Sequence, residues 1–200
     1  MDIESMFSGG KWQLIELLSR KELSPLQLSE ILGTSVANVS QQLKLLDLLG
    51  LLSTVKVPNR EKGKPRTLYS LSNDYVYVIS VLKNYAGKHL IKASPIHSAM
   101  ARIMCIPETE LHYPLMKLFW RLEPSFEYIK ALYFDKSKAT MFVVSENQSK
   151  LKLQASYSFR QGFGSFEISI KLLSKFPLEL EGQYPIYDPG NLLRQKEGEE

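Results

Sequence analysis

Ser24-Pro25-Leu26-Gln27-Leu28-Ser29-Glu30-Ile31-Leu32-Gly33-Thr34-Ser35-Val36-Ala37-Asn38-Val39-Ser40-Gln41-Gln42-Leu43-Lys44-Leu45-Leu46 holds the densest run of helix start and stop signals in the chain. Ser24 offers a hydroxyl to the orphan amides of a helix start, Pro25 suits the first helical position, and Gln27 completes a capping box three residues on. Leu28, Ile31 and Leu32 supply the apolar face of this short helix, and Gly33 follows where a tight turn needs a left-handed backbone. Thr34 or Ser35 caps a second helix that runs to Gly50. In it Val36, Val39, Leu43 and Leu46 recur at helical spacing and are expected against a core.

The opposite face of that second helix carries Ala37, Asn38, Ser40, Gln41, Gln42 and Lys44. A polar helix face is ordinarily just solvated. These side chains, however, are short or amide-bearing rather than the usual Glu and Lys: amides can bond the edge of adenine, hydroxyls reach bases or phosphates, and small residues admit close approach to a groove floor.

Working outward, Leu51 to Val57 reads as a strand, Pro58 to Pro65 as a polar loop, and Arg66 to Leu71 as the returning strand. Lys56, Arg60, Lys62, Lys64 and Arg66 stand against the single acid Glu61, while the chain as a whole carries only +4. Concentrated charge creates a local potential that phosphates would feel, although a solvated hairpin tip is the plainer account. Upstream, Trp12, Leu14, Ile15 and Leu18 give a scaffold helix from about Lys11 to Arg20. Three helices followed by a basic hairpin make a winged helix-turn-helix over residues 1–74.

Residues Ser35 to Leu46, then Leu49-Gly50-Leu51-Leu52, resemble the DNA-reading helix and following turn of ArsR-type winged-helix regulators. Gly63-Lys64-Pro65-Arg66-Thr67-Leu68-Tyr69-Ser70-Leu71-Ser72 is similar to the wing strand of many prokaryotic, especially archaeal, relatives. The resemblance covers about residues 8 to 74. It implies a homodimeric transcriptional regulator of double-stranded DNA, with contacts from Ser35, Ala37, Asn38, Ser40, Gln41 and Lys44 and wing support from Arg60, Lys62, Lys64 and Arg66. The chain departs from the metal-sensing branch: no paired cysteines stand near the helix and no Asp/His cluster at the chain ends, so metal sensing is not expected.

Tyr75, Val78, Ile79, Leu82, Tyr85 and Ala86 also fall at helical spacing, which predicts an amphipathic linker helix over 75–92. Its stripe could pack on its own domain or against a second copy. The resemblance to dimeric regulators favours dimerisation through Tyr75, Val78, Ile79, Leu82 and Tyr85, together with Trp12 of the first helix.

Residues 93–200 read as a second domain. Helices are expected over Pro95–Cys105 and Leu111–Leu122, separated by Pro107 and Pro114, and strands over Ile129–Phe134, Thr140–Val144, Leu151–Phe159 and Phe166–Leu172. Alternation in the last two strands predicts a four-stranded antiparallel meander with one wet face, covered by the preceding helices and draped by the Pro-containing tail. The fold class is therefore α+β, an N-terminal winged helix-turn-helix followed by helices and a mainly antiparallel sheet. An effector or oligomerisation role is open to this half.

Composition excludes other classes. Hydrophobic residues make up 44% and charged ones 23%, as in an ordinary globular chain. No apolar run approaches the roughly 20 residues a bilayer span needs, and Met1-Asp2-Ile3-Glu4-Ser5 is no signal peptide, so a cytoplasmic protein without membrane contact is expected. Cys105 is the only cysteine and reads as a buried thiol; His89, His97 and His112 are scattered, so neither metal nor cofactor is expected. Arg160-Gln161-Gly162-Phe163-Gly164-Ser165 joins two strands and reads as a hairpin turn rather than a phosphate cradle. Phe119, Trp120, Phe126, Tyr128, Tyr133 and Phe134 read as core rather than pocket lining. Two alternatives to a regulator remain: a winged-helix scaffold for protein or RNA, and a degenerate nucleotidyltransferase-like domain fused to a winged helix. The latter would need closely spaced aspartates for magnesium, whereas Asp135 stands alone, and no enzyme is expected.

Overall fold

The computed structural model describes residues 7, 9–58, 65–161, 164–175, 183–190 and 192, and the chain divides between Asp74 and Tyr75 into two compact units. The architecture is α+β.

The N-terminal unit contains α1 (Gly10–Arg20), α2 (Pro25–Leu32), α3 (Val36–Leu48) and the antiparallel strands β1 (Leu52–Val57) and β2 (Arg66–Leu71). Its start signals act as written in the sequence. The Gln27 N–H donates to Ser24 Oγ (3.3 Å) while the Ser24 N–H donates to Gln27 Oε1 (3.0 Å), closing the capping box of α2. Gly33 ends that helix at φ 61°, and the Asn38 N–H donates to Ser35 Oγ at 3.2 Å to cap α3. Only Gly33, Thr34 and Ser35 therefore separate the two helices, which fixes their crossing tightly. Leu14, Leu18, Leu28, Val39, Leu43 and Leu46 form the core, joined by Leu23, Leu51 and Leu52 at the foot of the hairpin.

Three side chains expected in that core lie outside it. Trp12 is exposed on α1, Ile31 on α2 and Val36 on α3. On the eight-residue α2 the buried row is centred on Leu28, with Leu32 half-buried an i+4 step away, and this leaves Ile31 on the flank. On α3 the buried row is turned toward Gln42, which is half-buried, and away from Val36. In β1, Leu52 is buried but Ser53 to Lys56 are all exposed, whereas β2 is half-buried or buried from Thr67 to Leu71 and pairs with Leu23 through Tyr69, so the hairpin rests on the unit through β2.

The C-terminal unit begins with a correction. The helix expected over 75–92 is absent: β3 (Tyr75–Leu82) and β4 (Tyr85–Lys92) form an antiparallel ribbon, paired from Tyr75↔Lys92 to Leu82↔Tyr85. The cause is local. Tyr75-Val-Tyr-Val-Ile79 is aromatic or β-branched at every position, side chains that lose rotamer freedom in a helix and fit a pleated strand. A nearly continuous apolar run satisfies a period of 3.6 as easily as a period of 2, and Asn84, at φ 66°, supplies the left-handed residue that a two-residue turn needs.

Beyond the ribbon, α4 (Pro95–Met104) and α5 (His112–Leu122) precede a five-stranded sheet of β5 (Ala131–Asp135), β6 (Thr140–Val144), β7 (Ser156–Gln161), β8 (Gly164–Leu173) and β9 (Gln183–Tyr187). Pro114 lies in the first turn of α5, where its missing N–H costs nothing, rather than between helices. The strand order is β7-β8-β6-β5-β9 with β6 and β8 parallel, so the sheet is mainly antiparallel but not the expected four-stranded meander. Residues 151–155 precede β7 instead of belonging to it. Part of the tail becomes β9, where Pro185 is tolerated because an edge strand can forgo a ladder hydrogen bond.

Ile103, Leu115, Leu118, Phe119 and Leu122 of α4 and α5 pack on Leu132, Phe134, Met141 and Val143. On the opposite face Ala131, Tyr133, Phe142 and Val144 are buried as well. The two central strands are thus covered on both sides, and the expected wet face is confined to β7 and β8. Continuous apolar runs such as Ala131-Leu-Tyr-Phe134 and Met141-Phe-Val-Val144 are the sequence mark of two-sided burial.

Candidate nucleic-acid interface

The outward side of α3 is built by the same local rules that build the helix. With Val39, Leu43 and Leu46 pinned in the core, Ala37, Ser40, Gln41 and Lys44 point to solvent, and Asn38 is exposed on the flank. Asn38 and Gln41 are both accessible, which a base-reading face requires. Ser35 is exposed, and its hydroxyl is engaged as the helix cap. Asp47, near the C-terminal end, is the one carboxylate on the helix, and an anionic ligand meets the N-terminal two-thirds of α3 without like-charge repulsion from α3 itself.

Gln42 stands apart from the other members of the predicted set. Its Nε2 donates to Asn38 Oδ1 (3.1 Å), and its Oε1 is buried with no hydrogen-bond partner among the described residues. The Asn38 Nδ2 donates in turn to Thr34 Oγ1 at 3.0 Å. Thr34, Asn38 and Gln42 form an i, i+4 row, so their side chains stack along one flank of the helix. Val36 lies on the same helix, outside the set expected from the sequence. It is 41% exposed in the first turn, one helical step from Ser40, where an apolar side chain can meet a thymine methyl group. Its place at the margin of the apolar stripe, directly after the cap, was the available signal.

Lys56 pairs with Thr67, and Arg66 with Val57, at the open end of the β1–β2 ladder. Both cations are exposed. Arg60, Lys62 and Lys64 fall outside the described residues.

Residues 8–54 match the model of the arsR family of bacterial regulatory proteins. The matched span holds α1, α2, α3 and the start of β1, and it supports reading the N-terminal unit as the DNA-binding module of a transcription regulator. No curated protein matches the sequence.

Of the residues expected at a dimer contact, Trp12 is exposed on α1 with Phe7 edge-on to its ring at 6.3 Å. The others lie on the β3–β4 ribbon rather than on one helical stripe. Val78, Leu82 and Tyr85 share one face of it, and Tyr75 and Ile79 share the other. None of the sixteen ribbon residues is buried.

Elsewhere the candidate chemistry resolves into local structure. The Asp135 carboxylate accepts from Ser137 N (2.9 Å), Ser137 Oγ (2.6 Å) and Lys138 N (3.2 Å), and the Ser137 hydroxyl holds its pKa below the usual carboxylate range against the opposing effect of burial. It closes its own turn. The Tyr133 hydroxyl donates to Asp188 Oδ2 at 2.9 Å, and burial pushes the phenol upward. His97 Nδ1 accepts from the Ser94 N–H in the capping box of α4, and His112 Nε2 lies 2.7 Å from the Ile106 carbonyl. Cys105, expected in the interior, is exposed at the end of α4. Trp120 is exposed too, whereas Phe119, Tyr133 and Phe134 are buried and Phe126 stacks on Tyr187 at 4.8 Å. Gln161 pairs with Gly164 across β7 and β8, and Gly162 and Phe163 between them lie outside the described residues. Among the described residues no group of His, Cys, Asp and Glu is placed to hold a metal ion, and no helix is long and apolar enough to cross a membrane.

Proposed function

We propose that this protein is a sequence-specific transcription regulator that inserts α3 into the major groove of duplex DNA and lays the β1–β2 hairpin on the flanking backbone. One observation carries the reading: the exposed side of a capped, tightly connected α3 presents Ala37, Asn38, Ser40, Gln41 and Lys44, groups suited to base edges and phosphates. Lys56 and Arg66 extend that surface with cations, each of which releases counterions when it neutralises a phosphate.

The regulator acts as a homodimer. The β3–β4 ribbon supports this, because a two-stranded sheet with no buried side chain is marginal alone, and Val78, Leu82 and Tyr85, exposed on one face of it, give an apolar surface that a second copy would cover. Tyr75 and Ile79 on the other face of the ribbon, and Trp12 on the N-terminal unit, are separate candidates for contact with a second copy. On this reading the regulator sits in the cytoplasm and calls for no cofactor.

DNA fragments retained by the purified protein test the reading. They should share an inverted repeat with half-sites about one helical turn apart, and the affinity should fall steeply with salt. Gln41→Ala should weaken that site by about 1–3 kcal/mol while leaving unrelated duplexes nearly unaffected. Retention without sequence preference, or without salt dependence, would turn the assignment toward a winged-helix scaffold for another macromolecule.

A further inference from the structure

Gln42 belongs to the amide-rich side of α3 by sequence, yet its side chain is turned along the helix rather than outward. Its Nε2–H is spent on Asn38 Oδ1 (3.1 Å), and Asn38 Nδ2 is spent on Thr34 Oγ1 (3.0 Å). An amide has two N–H donors and an oxygen with two lone pairs, so each bond leaves Asn38 one donor and one acceptor for another partner. One donor and one acceptor from the same amide is the pair that meets adenine N7 and N6. A side chain that must otherwise be frozen on binding is here already held at both ends.

The far end of the relay is held by packing. A Cβ built on Gly10 would lie 2.9 Å from Gln42 Oε1 and 3.1 Å from its Nε2, closer than ordinary contacts allow. Gly10 is the first residue of α1, and its backbone does not occupy the positive-φ region that would by itself demand glycine. Space for the Gln42 amide accounts for glycine at this position, and that amide couples the start of α1 to the flank of α3.

From this we infer that Gln42 is a positioning residue rather than a base reader: seated over Gly10, it orients Asn38, and Asn38 reads one base pair at the edge of the α3 footprint. The inference rests on the proposed insertion of α3 into the major groove and specifies how one of its contacts is prepared.

Competition binding with a preferred site and its single-base-pair variants reads the effect position by position. Asn38→Ala should lower discrimination at one base pair by roughly tenfold. Gln42→Leu and Gln42→Glu, which lack the donor to Asn38, should lower it at the same base pair. The double variant Asn38→Ala/Gln42→Leu should discriminate no worse than Asn38→Ala alone. Gly10→Ala should reproduce the Gln42 phenotype from another helix. In the free protein, the Asn38 side-chain amide resonances should move toward solvent-exposed values in Gln42→Leu while the core signals keep their dispersion, which loss of the overall fold would collapse. Loss at a base pair that Asn38→Ala still discriminates would make Gln42 a reader itself and overturn the inference, as would additive losses in the double variant or unmoved Asn38 resonances. A parent protein with no base preference at any position would instead remove the groove-insertion reading, and this inference with it.

Discussion

Among the described residues, the two-stranded antiparallel ribbons β1–β2 and β3–β4 are of similar length and differ in the side chains they expose. Both present a row of side chains to solvent: Ser53 to Lys56 are exposed on β1, and Val81 and Leu82 are 81% and 67% exposed on β3. The exposed positions of the first are Ser53, Thr54, Val55, Lys56 and Arg66, and the loop sequence at its open end is basic. Val, Ile, Leu and Tyr line the second, around Lys83, Lys88 and Lys92. Ribbon geometry satisfies the backbone in both cases and dictates nothing about the occupant, so composition alone separates a surface suited to phosphates from one that must leave water.

A charge placed on the apolar ribbon should have the largest effect. In a two-fold contact every substitution is made twice, and fully burying a leucine stabilises by about 1.5–3 kcal/mol. Leu82→Asp should therefore weaken self-association by two or more orders of magnitude, on the order of 3–6 kcal/mol from lost burial alone. Sedimentation velocity across a concentration series would read it. An unchanged dimer would move the contact off this face of the ribbon and leave Tyr75, Ile79 and Trp12 as the remaining predicted members.

The basic ribbon should respond differently and less. Lys56→Ala/Arg66→Ala removes two cations from the open end of β1–β2, and the slope of log affinity against log salt should shrink by about 2. The loss should be nearly uniform across DNA sequences, because phosphate contacts carry no base identity. Fluorescence anisotropy at several salt concentrations checks both statements. A loss confined to one site sequence would place the hairpin at base edges instead, and an unchanged slope would take it off the DNA.

The ribbons also mark how far the sequence could be read. The N-terminal unit was legible because its signals are local and redundant: a serine cap and its glutamine partner, a glycine in the left-handed region and a second serine cap lie within fifteen residues and all agree. The second ribbon was not, since Tyr75 to Leu82 is apolar almost throughout and periodicity cannot discriminate in such a run; the β-branched residues and Asn84 held the answer. The C-terminal sheet was legible strand by strand but not in its order, because the parallel β6–β8 pairing and the recruitment of β9 are long-range choices that no local pattern encodes. Within the candidate site, the exposed face of α3 could be read off the helix, whereas the inward turn of Gln42 depends on Gly10, thirty-two positions away in the chain and adjacent only after folding.

The smallest expected effect asks whether the apolar ribbon is formed before it meets a partner. Asn84 holds the turn at φ 66°, a region that costs L-residues roughly 1–2 kcal/mol and that asparagine tolerates through local hydrogen bonding of its short polar side chain; alanine keeps the Cβ and loses that compensation. Ribbon formation coupled to association would pass that cost to the dimer, so Asn84→Ala should weaken self-association by about tenfold per kcal-scale penalty of 1.4 kcal/mol. Asn84→Gly relieves the strain and should restore it. If the ribbon is instead folded in the free subunit, the penalty appears in the stability of the C-terminal unit and cancels from the association constant. Thermal unfolding and sedimentation of the same two variants separate these cases: a shifted dissociation constant with an unshifted melting curve at low concentration identifies a ribbon that forms on contact, and the reverse identifies one that is preformed. Either way the DNA salt slope should not follow Asn84, because the charged ribbon ends its pairing at Leu71 and β3 begins at Tyr75, across the boundary between the two units.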